Sequence, residues 1–201
     1  IVHGMTLGEL ALMINGEGWL PDSRKCDLAV IKCKNYTHQT RYQLPIPPSP
    51  NLPNMKSIYL YPSTCFFEAT PVSLGRGTSL PFQVYGHPNM TGYNYSFTPR
   101  SIPGAKNPPQ LNKLCYGVDL SNMSDEEIWK RGIDLTYVID AYRNLNLDDH
   151  FFRPFFELLV GRDYVRKMIK EGKSADEIKA MWKGDVEKFK TQRKPYLLYE
   201  E

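Results

Sequence analysis

The chain contains no long apolar run. None of its 201 residues lies in a stretch that approaches the roughly 18 consecutive apolar residues of a membrane-spanning helix, so we expect no membrane span. Hydrophobic residues make up 41% and charged residues 23% of the sequence, which is typical of a folded protein rather than a disordered one. The length corresponds to one large or two small domains and is sufficient to bury a core without disulfides.

A strong excess of one charge sign is also missing. Residues 1–150 carry 13 basic and 13 acidic side chains, and residues 151–201 carry 12 and 9. The net charge of +3 therefore arises in a region where both signs are interspersed. Such a surface lacks the basic stripe that binds a phosphate backbone, and we expect no nucleic-acid partner.

Signatures of metal and cofactor chemistry are absent from the sequence. The four cysteines have no zinc-type spacing: Cys26, Cys33, Cys65 and Cys115. No nucleophile elbow, zinc-protease motif or Walker loop occurs. Gly75-Arg-Gly77 begins like a dinucleotide fingerprint, but Leu80 occupies its sixth position. We expect neither a metal nor a cofactor.

The first forty residues contain one helical and one strand-like pattern. Apolar residues at the i, i+3, i+4 and i+7 positions predict a helix over residues 6–15, with Thr6 as its N-cap, Glu9 as the capping-box partner and Gly16 at its end. The short apolar run Cys26–Cys33 predicts a buried strand. A helix followed by such a strand fits an α/β layer.

Prolines are concentrated in the middle of the chain. Thirteen of the 16 lie between Pro45 and Pro109, where they remove backbone donors and favour irregular structure. A helical turn is expected over residues 64–70. Short strands are expected over residues 58–61, 82–85, 93–97 and 114–118, the last three in a second, smaller sheet.

The last third of the chain has helical patterns with clear start signals. A capping box at Ser124 begins a helical region, in which Gly132 leaves open whether there are one or two helices. A further helix over residues 162–171 ends at Gly172. A second capping box at Ser174 begins the final helix, which should bury five apolar residues: Ile178, Met181, Trp182, Val186 and Phe189.

Two clusters near the start of the chain could bind a ligand. His3 and Gly4 precede a helix N-terminus, where backbone N–H groups can hold an anion, although the residues alone favour a simple capped helix. Residues 48–53 (PSPNLP) form a proline-stiffened loop that could present Asn51 to a ligand or could be a plain connector.

A third cluster, over residues 68–78 (EATPVSLGRGT), combines a carboxylate, three hydroxyls and an arginine between glycines. Glycines allow the backbone to approach a ligand closely, and the guanidinium of Arg76 offers paired donors to a carboxylate. Sugars are bound by such mixtures together with nearby tyrosines. The alternative is a structural ion pair between Glu68 and Arg76 that braces a turn.

The three clusters together resemble a known family. HGMTLGELA, PSPNLPN and EATPVSLGRGT followed by PFQVYGHP are similar, in order and spacing, to DUF1343, the family named for the exo-β-N-acetylmuramidase NamZ. The resemblance implies a bacterial, periplasmic or secreted α/β protein that removes N-acetylmuramic acid from peptidoglycan fragments without a cofactor. It also implies a Rossmann-like catalytic domain, the end of which would be residues 1–80. A smaller auxiliary α/β domain with C-terminal helices would follow as residues 81–201, and the active site would lie in the cleft between these two domains.

The resemblance also implies an incomplete site. The chain opens without an initiator methionine or a signal peptide, and we expect it to be the carboxyl-terminal part of a longer protein. The family's amino-terminal half carries a Glu-His-Gly stretch with the principal carboxylate, which does not occur here. The missing half would then be a partner, and this chain alone would be inactive.

Site roles follow from the resemblance position by position. It implies catalytic roles for His3 and Glu68. Substrate-binding roles are implied for eight residues: Thr6, Glu9, Ser49, Asn51, Ser73, Arg76, Gly77 and Thr78. The family pattern EGTNVSEGRGT is altered here at Ala69, Pro71 and Leu74, and the loss of two polar side chains leaves room for a non-catalytic carbohydrate- or protein-binding module instead.

Overall fold

A computed structural model describes residues 2–201, which contain seven α-helices and three β-strands. The described chain divides into two units. The central unit comprises Gln43–Ile178, and the terminal unit comprises Val2–Tyr42 together with Lys179–Glu201. Helices combined with a small sheet confirm the mixed α/β class.

The terminal unit begins with helix α1, Leu7–Gly16. The backbone N–H of Glu9 donates to Thr6 Oγ1 at 3.3 Å, and the backbone N–H of Thr6 donates to Glu9 Oε2 at 2.7 Å. The reciprocal capping box is therefore confirmed, and it satisfies two N–H groups that the start of a helix leaves without intrahelical partners.

The strand predicted over Cys26–Cys33 is wrong, because these residues form no β-ladder with any part of the described chain. The side chain of Ile31 is 95% exposed, and the backbone N–H of Cys33 donates to the Tyr199 hydroxyl at 3.0 Å instead of to a neighbouring strand. An apolar run becomes a strand only when another strand pairs with it.

The central unit opens with helix α2, Met55–Thr64, which is followed by a 3₁₀ turn, Cys65–Ala69. The strand predicted over residues 58–61 is therefore wrong. Asn54 caps the helix by accepting a hydrogen bond from the backbone N–H of Ser57 at 2.9 Å. This cap starts a helix just before the apolar residues, and the strand prediction did not take the cap into account.

A three-stranded antiparallel sheet lies in the central unit, with strands β1, Val84–His87, β2, Tyr95–Phe97, and β3, Cys115–Asp119. The strand order is β1-β3-β2, so the last strand in sequence is in the middle. All three predicted strands are confirmed with small shifts at their ends. A Cβ atom at Gly117 would lie 1.9 Å from the Tyr85 carbonyl oxygen, so the close pairing of β1 and β3 requires glycine there.

Five more helices complete the described chain: α3, Asp125–Arg131; α4, Thr136–Leu145; α5, Phe156–Val160; α6, Tyr164–Lys170; and α7, Ala175–Arg193. Gly132, at φ +60°, separates α3 from α4, which answers the question that the sequence left open. The predicted burial along α7 holds at Ile178 but is wrong at Met181 and Val186, which are 59% and 43% exposed. The central unit ends at Ile178, so only the first turn of α7 belongs to it.

Candidate functional site

The central unit contains a partly exposed ion pair between Glu68 and Arg76. Glu68 lies in the 3₁₀ turn after α2, and Arg76 lies in the loop before β1. Arg76 Nη2 donates to Glu68 Oε1, and the side chains are 36% and 24% exposed, respectively. The guanidinium of Arg76 also lies over the ring of Phe82, 5.3 Å from its centroid. The pair is held in place yet remains accessible to a ligand.

Glycines on both sides of Arg76 shape this loop. Gly75 and Gly77 have φ angles of +79° and +82°, which L side chains rarely adopt. A Cβ atom at Gly77 would lie 2.3 Å from the carbonyl oxygen of Arg100. Thr78 closes the turn by donating from its hydroxyl to the Gly75 carbonyl at 2.7 Å. Gly77 and Thr78 therefore determine the shape of the loop that carries Arg76.

Ser73 connects the loop to the sheet. Its backbone exchanges two hydrogen bonds with Gly86 of β1, at 2.8 and 2.9 Å, and its side chain is buried. Leu74 is also buried in the core, whereas the carbonyl of Pro71 accepts a hydrogen bond from Gln110 at 2.9 Å. These three positions support the loop from inside and leave Glu68 and Arg76 as its exposed charges.

Tyr61 is a third ionisable group beside the pair, and the sequence analysis gave it no specific role. Its ring packs against Phe82 with the centroids 5.1 Å apart. Burial raises the pKa of Tyr61, and the negative charge of Glu68 raises it further. The sequence indicates only indirectly that Tyr61 lies beside the ion pair, because this position depends on the helical conformation of residues 55–64.

The loop that contains Ser49 and Asn51 is attached to another loop of the central unit. The side-chain amide of Asn51 donates to the carbonyl oxygen of Gly104 at 2.9 Å, and the backbone N–H of Asn51 donates to Ser49 Oγ at 3.2 Å. One amide hydrogen of Asn51 is thus used internally. The binding role inferred for these two residues stays a prediction.

Thr6 and Glu9 are part of a buried network in the terminal unit. The carboxylate of Glu9 is fully buried and accepts hydrogen bonds from the Thr6 backbone and hydroxyl and from the backbone N–H of Leu198, at 2.7, 2.9 and 2.7 Å. It also lies 3.0 Å from Nε2 of His38. Burial alone would raise the pKa of Glu9, but these hydrogen bonds lower it to about 2. Glu9 therefore stabilises the unit as an anion.

His3 is exposed in the same terminal unit, and its carbonyl oxygen accepts a hydrogen bond from Arg193 at 2.9 Å. The predicted site residues thus fall in two groups. His3, Thr6 and Glu9 belong to the terminal unit, and the seven others belong to the central unit. Within the central unit, the structure brings Glu68, Arg76, Gly77 and Thr78 together in one turn region. A single cleft formed by both groups stays a prediction.

The described residues contain no cluster of three or more histidine, cysteine or acidic side chains placed to hold a metal ion. Of the helices in residues 2–201, none combines the length and apolar character needed to cross a membrane. The ion pair and its neighbour Tyr61 provide a carboxylate, a guanidinium and a phenol. They can exchange hydrogen bonds with hydroxyls and bind an anion.

The sequence matches two family descriptions that share one name. Residues 59–199 match "Exo-beta-N-acetylmuramidase NamZ, C-terminal", and residues 1–56 match "Exo-beta-N-acetylmuramidase NamZ, N-terminal". The chain belongs to the NamZ family, also known as DUF1343, and the resemblance inferred from the three motifs is confirmed. The two matches meet between residues 56 and 59, while the predicted domain boundary at residue 80 stays a prediction.

Individual relatives agree with this membership. The chain is 33% identical to the protein named Peptidoglycan beta-N-acetylmuramidase NamZ of Bacillus subtilis (strain 168), over 98% of this chain and 50% of that protein. Crystal structures of two DUF1343 family proteins from Bacteroides fragilis NCTC 9343 superpose with TM-scores of 0.98 and 0.72, at 82% and 25% identity. They align with 100% and 98% of this chain and with 57% and 56% of theirs. The chain spans about half the length of these relatives.

Proposed function

We propose that this chain is part of a glycoside hydrolase that removes N-acetylmuramic acid from the non-reducing ends of peptidoglycan fragments. Family membership and the relationship to a peptidoglycan muramidase from Bacillus subtilis support this substrate class. The observation that carries the proposal is the accessible pair of Glu68 and Arg76, held on a loop whose shape depends on two glycines.

Glu68 is proposed as one of two acidic groups at the scissile bond. Glycoside hydrolysis generally uses one carboxylic acid to protonate the leaving oxygen and one carboxylate to activate a nucleophile or stabilise positive charge. Glu68 is 24% exposed and is within reach of a bound sugar, whereas Glu9 is fully buried and fully hydrogen-bonded. The second carboxylate would come from the amino-terminal half of the enzyme.

Arg76 is proposed to bind the lactyl carboxylate of N-acetylmuramic acid. That group distinguishes this sugar from N-acetylglucosamine, and guanidinium–carboxylate pairs are strong and directional. Only Nη2 of Arg76 is used by Glu68, so Nη1 can donate to a ligand. The same arginine would orient Glu68 and select the substrate.

An amino-terminal half with a Rossmann-like sheet is the partner that this proposal requires. Matched relatives are about twice as long as this chain, which supports the existence of such a half. A periplasmic or secreted location fits a peptidoglycan substrate and belongs to the same proposal.

A non-catalytic carbohydrate- or protein-binding module is the second candidate. The observation that favours it is the burial of Leu74, at a position where the family pattern has a glutamate. Without that carboxylate, the loop retains binding groups but has one acidic group fewer. A protein of this kind would bind peptidoglycan fragments and leave them intact.

Assays of the full-length polypeptide on chromogenic glycosides separate the two candidates. We expect hydrolysis of a β-glycoside of N-acetylmuramic acid and much slower hydrolysis of the N-acetylglucosamine analogue. The 201-residue chain alone should be inactive, because it lacks the principal carboxylate. Binding of the sugar without hydrolysis by the full-length protein would favour the binding module, and hydrolysis by the isolated chain would contradict the proposed division of the site.

A further inference from the structure

An open groove of about 460 Å³ lies in the central unit, away in sequence from the Glu68–Arg76 loop. Helix α4 forms most of it, and the start of α7 contributes the rest. The lining residues are Thr136, Ile139, Asp140, Arg143, Asn144, Ser174 and Ala175. The groove is open to solvent, and its walls combine both signs of charge with an amide and two hydroxyls.

Asp140 is held in the groove wall by two tyrosines. The hydroxyls of Tyr85 and Tyr93 donate to the same oxygen, Asp140 Oδ2, at 2.8 and 2.7 Å. Burial and the adjacent carboxylate raise the pKa of both tyrosines, so they remain donors over the physiological pH range. The carboxylate is thereby fixed in position, and Oδ1 is the oxygen that the two tyrosines leave for a ligand.

Arg143 is fixed by a different element. Its Nη2 donates to the carbonyl oxygens of Gly172 and Lys173, at 2.8 and 3.4 Å, in the segment between α6 and α7. Residues three apart on a helix are neighbours, and opposite charges at that spacing commonly pair. Asp140 and Arg143 have this spacing but form no ion pair within the described chain, because each is bound elsewhere.

The remaining polar groups of the groove are also fixed. Asn144 accepts a hydrogen bond from the backbone N–H of Thr91 at 3.0 Å and donates to the Thr91 carbonyl at 2.9 Å. Ser174 exchanges hydrogen bonds with Glu177 in the capping box of α7. Side chains that are already ordered lose little further entropy when a ligand binds, which favours a preformed site.

We propose that this groove binds a zwitterionic ligand, an amino acid or the end of a short peptide, with its ammonium group at Asp140 and its carboxylate at Arg143. Two opposite charges held apart on one wall match a ligand with two opposite charges of its own. Ile139 and Ala175 supply an apolar surface for a small side chain. This proposal stands independently of the glycosidase function.

The test is an NMR titration of the ¹⁵N-labelled 201-residue chain with the dipeptide alanyl-alanine. The amide signals of Asn144, Ser174 and Ala175 should shift with increasing dipeptide concentration. N-acetylation or C-terminal amidation of the dipeptide removes one charge and should weaken binding by about tenfold or more for each cap. Free N-acetylmuramic acid, which has a carboxylate but no ammonium group, serves as the probe for a sugar site.

Charge variants locate the site within the groove. Asp140→Asn preserves an acceptor for the two tyrosine hydroxyls, and Arg143→Gln preserves a donor for the two backbone carbonyls. Because each variant removes one charge, each should weaken alanyl-alanine binding by about tenfold. Glu171→Gln and Lys167→Gln, at exposed positions outside the groove, are the matched controls and should bind normally. The proposal is overturned if groove amides do not shift, if capped and free dipeptides bind equally, if the sugar binds in place of the dipeptide, or if the controls weaken binding as much.

Discussion

Two arginine–glutamate pairs in the central unit have nearly the same local chemistry. Arg76 pairs with Glu68, and Arg166 pairs with Glu157 at 2.5 Å. The guanidinium of Arg76 lies 5.3 Å from the centroid of one phenylalanine ring. The guanidinium of Arg166 lies 5.7 Å and 5.9 Å from the centroids of two phenylalanine rings. In both arginines Nε is buried without a hydrogen-bond partner in the described chain. Residue types and exposure alone therefore do not distinguish a functional pair from a structural one.

The backbone around the two pairs differs. Arg166 lies within α6, its partner lies in α5, and its Nη2 also donates to the Arg153 carbonyl at 2.8 Å. Arg76 lies in a loop between two glycines with positive φ, which lose more conformational entropy on folding than other residues. An ion pair that only stabilises the contact between two helices does not require such a loop. In the proposed function, the Glu68–Arg76 pair serves an external ligand, whereas the Glu157–Arg166 pair stabilises the fold.

The first and largest expected effect concerns the two glutamates. Glu68→Gln in the full-length protein should lower kcat on an N-acetylmuramic acid glycoside by about 10²–10⁴-fold, because an amide replaces a proton-transferring group. Glu157→Gln should leave kcat within about threefold, because its carboxylate pairs with Arg166 in a contact between two helices. Steady-state kinetics of the two variants at equal concentration measures the difference.

Thermal unfolding of both glutamate variants is the control for that experiment. If Glu68→Gln turns over normally while remaining folded, Glu68 has no part in the chemistry. If both variants lose activity equally, the distinction between the two pairs is wrong.

The second prediction concerns a glycine near each pair. Gly77→Ala should lower the free energy of unfolding by about 3 kcal/mol, because positive φ and a contact of 2.3 Å with the Arg100 carbonyl oxygen both oppose a side chain. Gly161→Ala, between α5 and α6, shares a positive φ but has open space around the new Cβ, so its cost should be about 1 kcal/mol. Urea unfolding compares them, and equal losses would show that close packing of the Arg76 loop is unimportant.

Signals carried by a few adjacent residues predicted three of the helix starts, those after Thr6, Ser124 and Ser174. The capping boxes at Thr6 and Ser174 form as expected. At Ser124 the N–H of Glu127 donates to the serine hydroxyl, but the Glu127 carboxylate pairs with Arg131 instead of completing the predicted box. The strand predictions at residues 26–33 and 58–61 failed, because a strand depends on a partner that a local pattern does not identify. In the second case the cap at Asn54 determined the outcome.

The candidate site was predictable to a similar degree. Glu68 and Arg76 are eight residues apart, and the intervening turn residues made their pairing a reasonable expectation from sequence. The position of Tyr61 and the stacking of Arg76 on Phe82 depend on tertiary packing, which no local pattern encodes. Likewise, the capping box predicted a partner for Glu9 but not its contacts with His38 and Leu198, which are distant in sequence.

The third prediction concerns substrate preference. Arg76→Ala should reduce the ratio of kcat/KM for the muramic acid glycoside over the glucosamine glycoside by about 10–100-fold, because only the muramic acid sugar has a lactyl carboxylate for this arginine, while the lost bond to Glu68 affects both substrates. Arg166→Ala should leave this ratio unchanged even if the protein becomes less stable. A retained preference in Arg76→Ala would remove this arginine from substrate recognition while leaving a role for Glu68 intact.

The fourth prediction, with the smallest expected effect, compares the stability of two arginine variants. Here we expect the larger effect at Arg166 and the smaller effect at Arg76. Arg166→Gln breaks the bonds to Glu157 and to the Arg153 carbonyl, and it should lower the free energy of unfolding by about 1–2 kcal/mol. Arg76→Gln breaks one partly exposed ion pair and should cost less than about 1 kcal/mol. Urea unfolding of the 201-residue chain measures both without any dependence on activity. A larger loss in Arg76→Gln would mean that the Glu68–Arg76 pair braces its turn, which is the structural alternative to a substrate site.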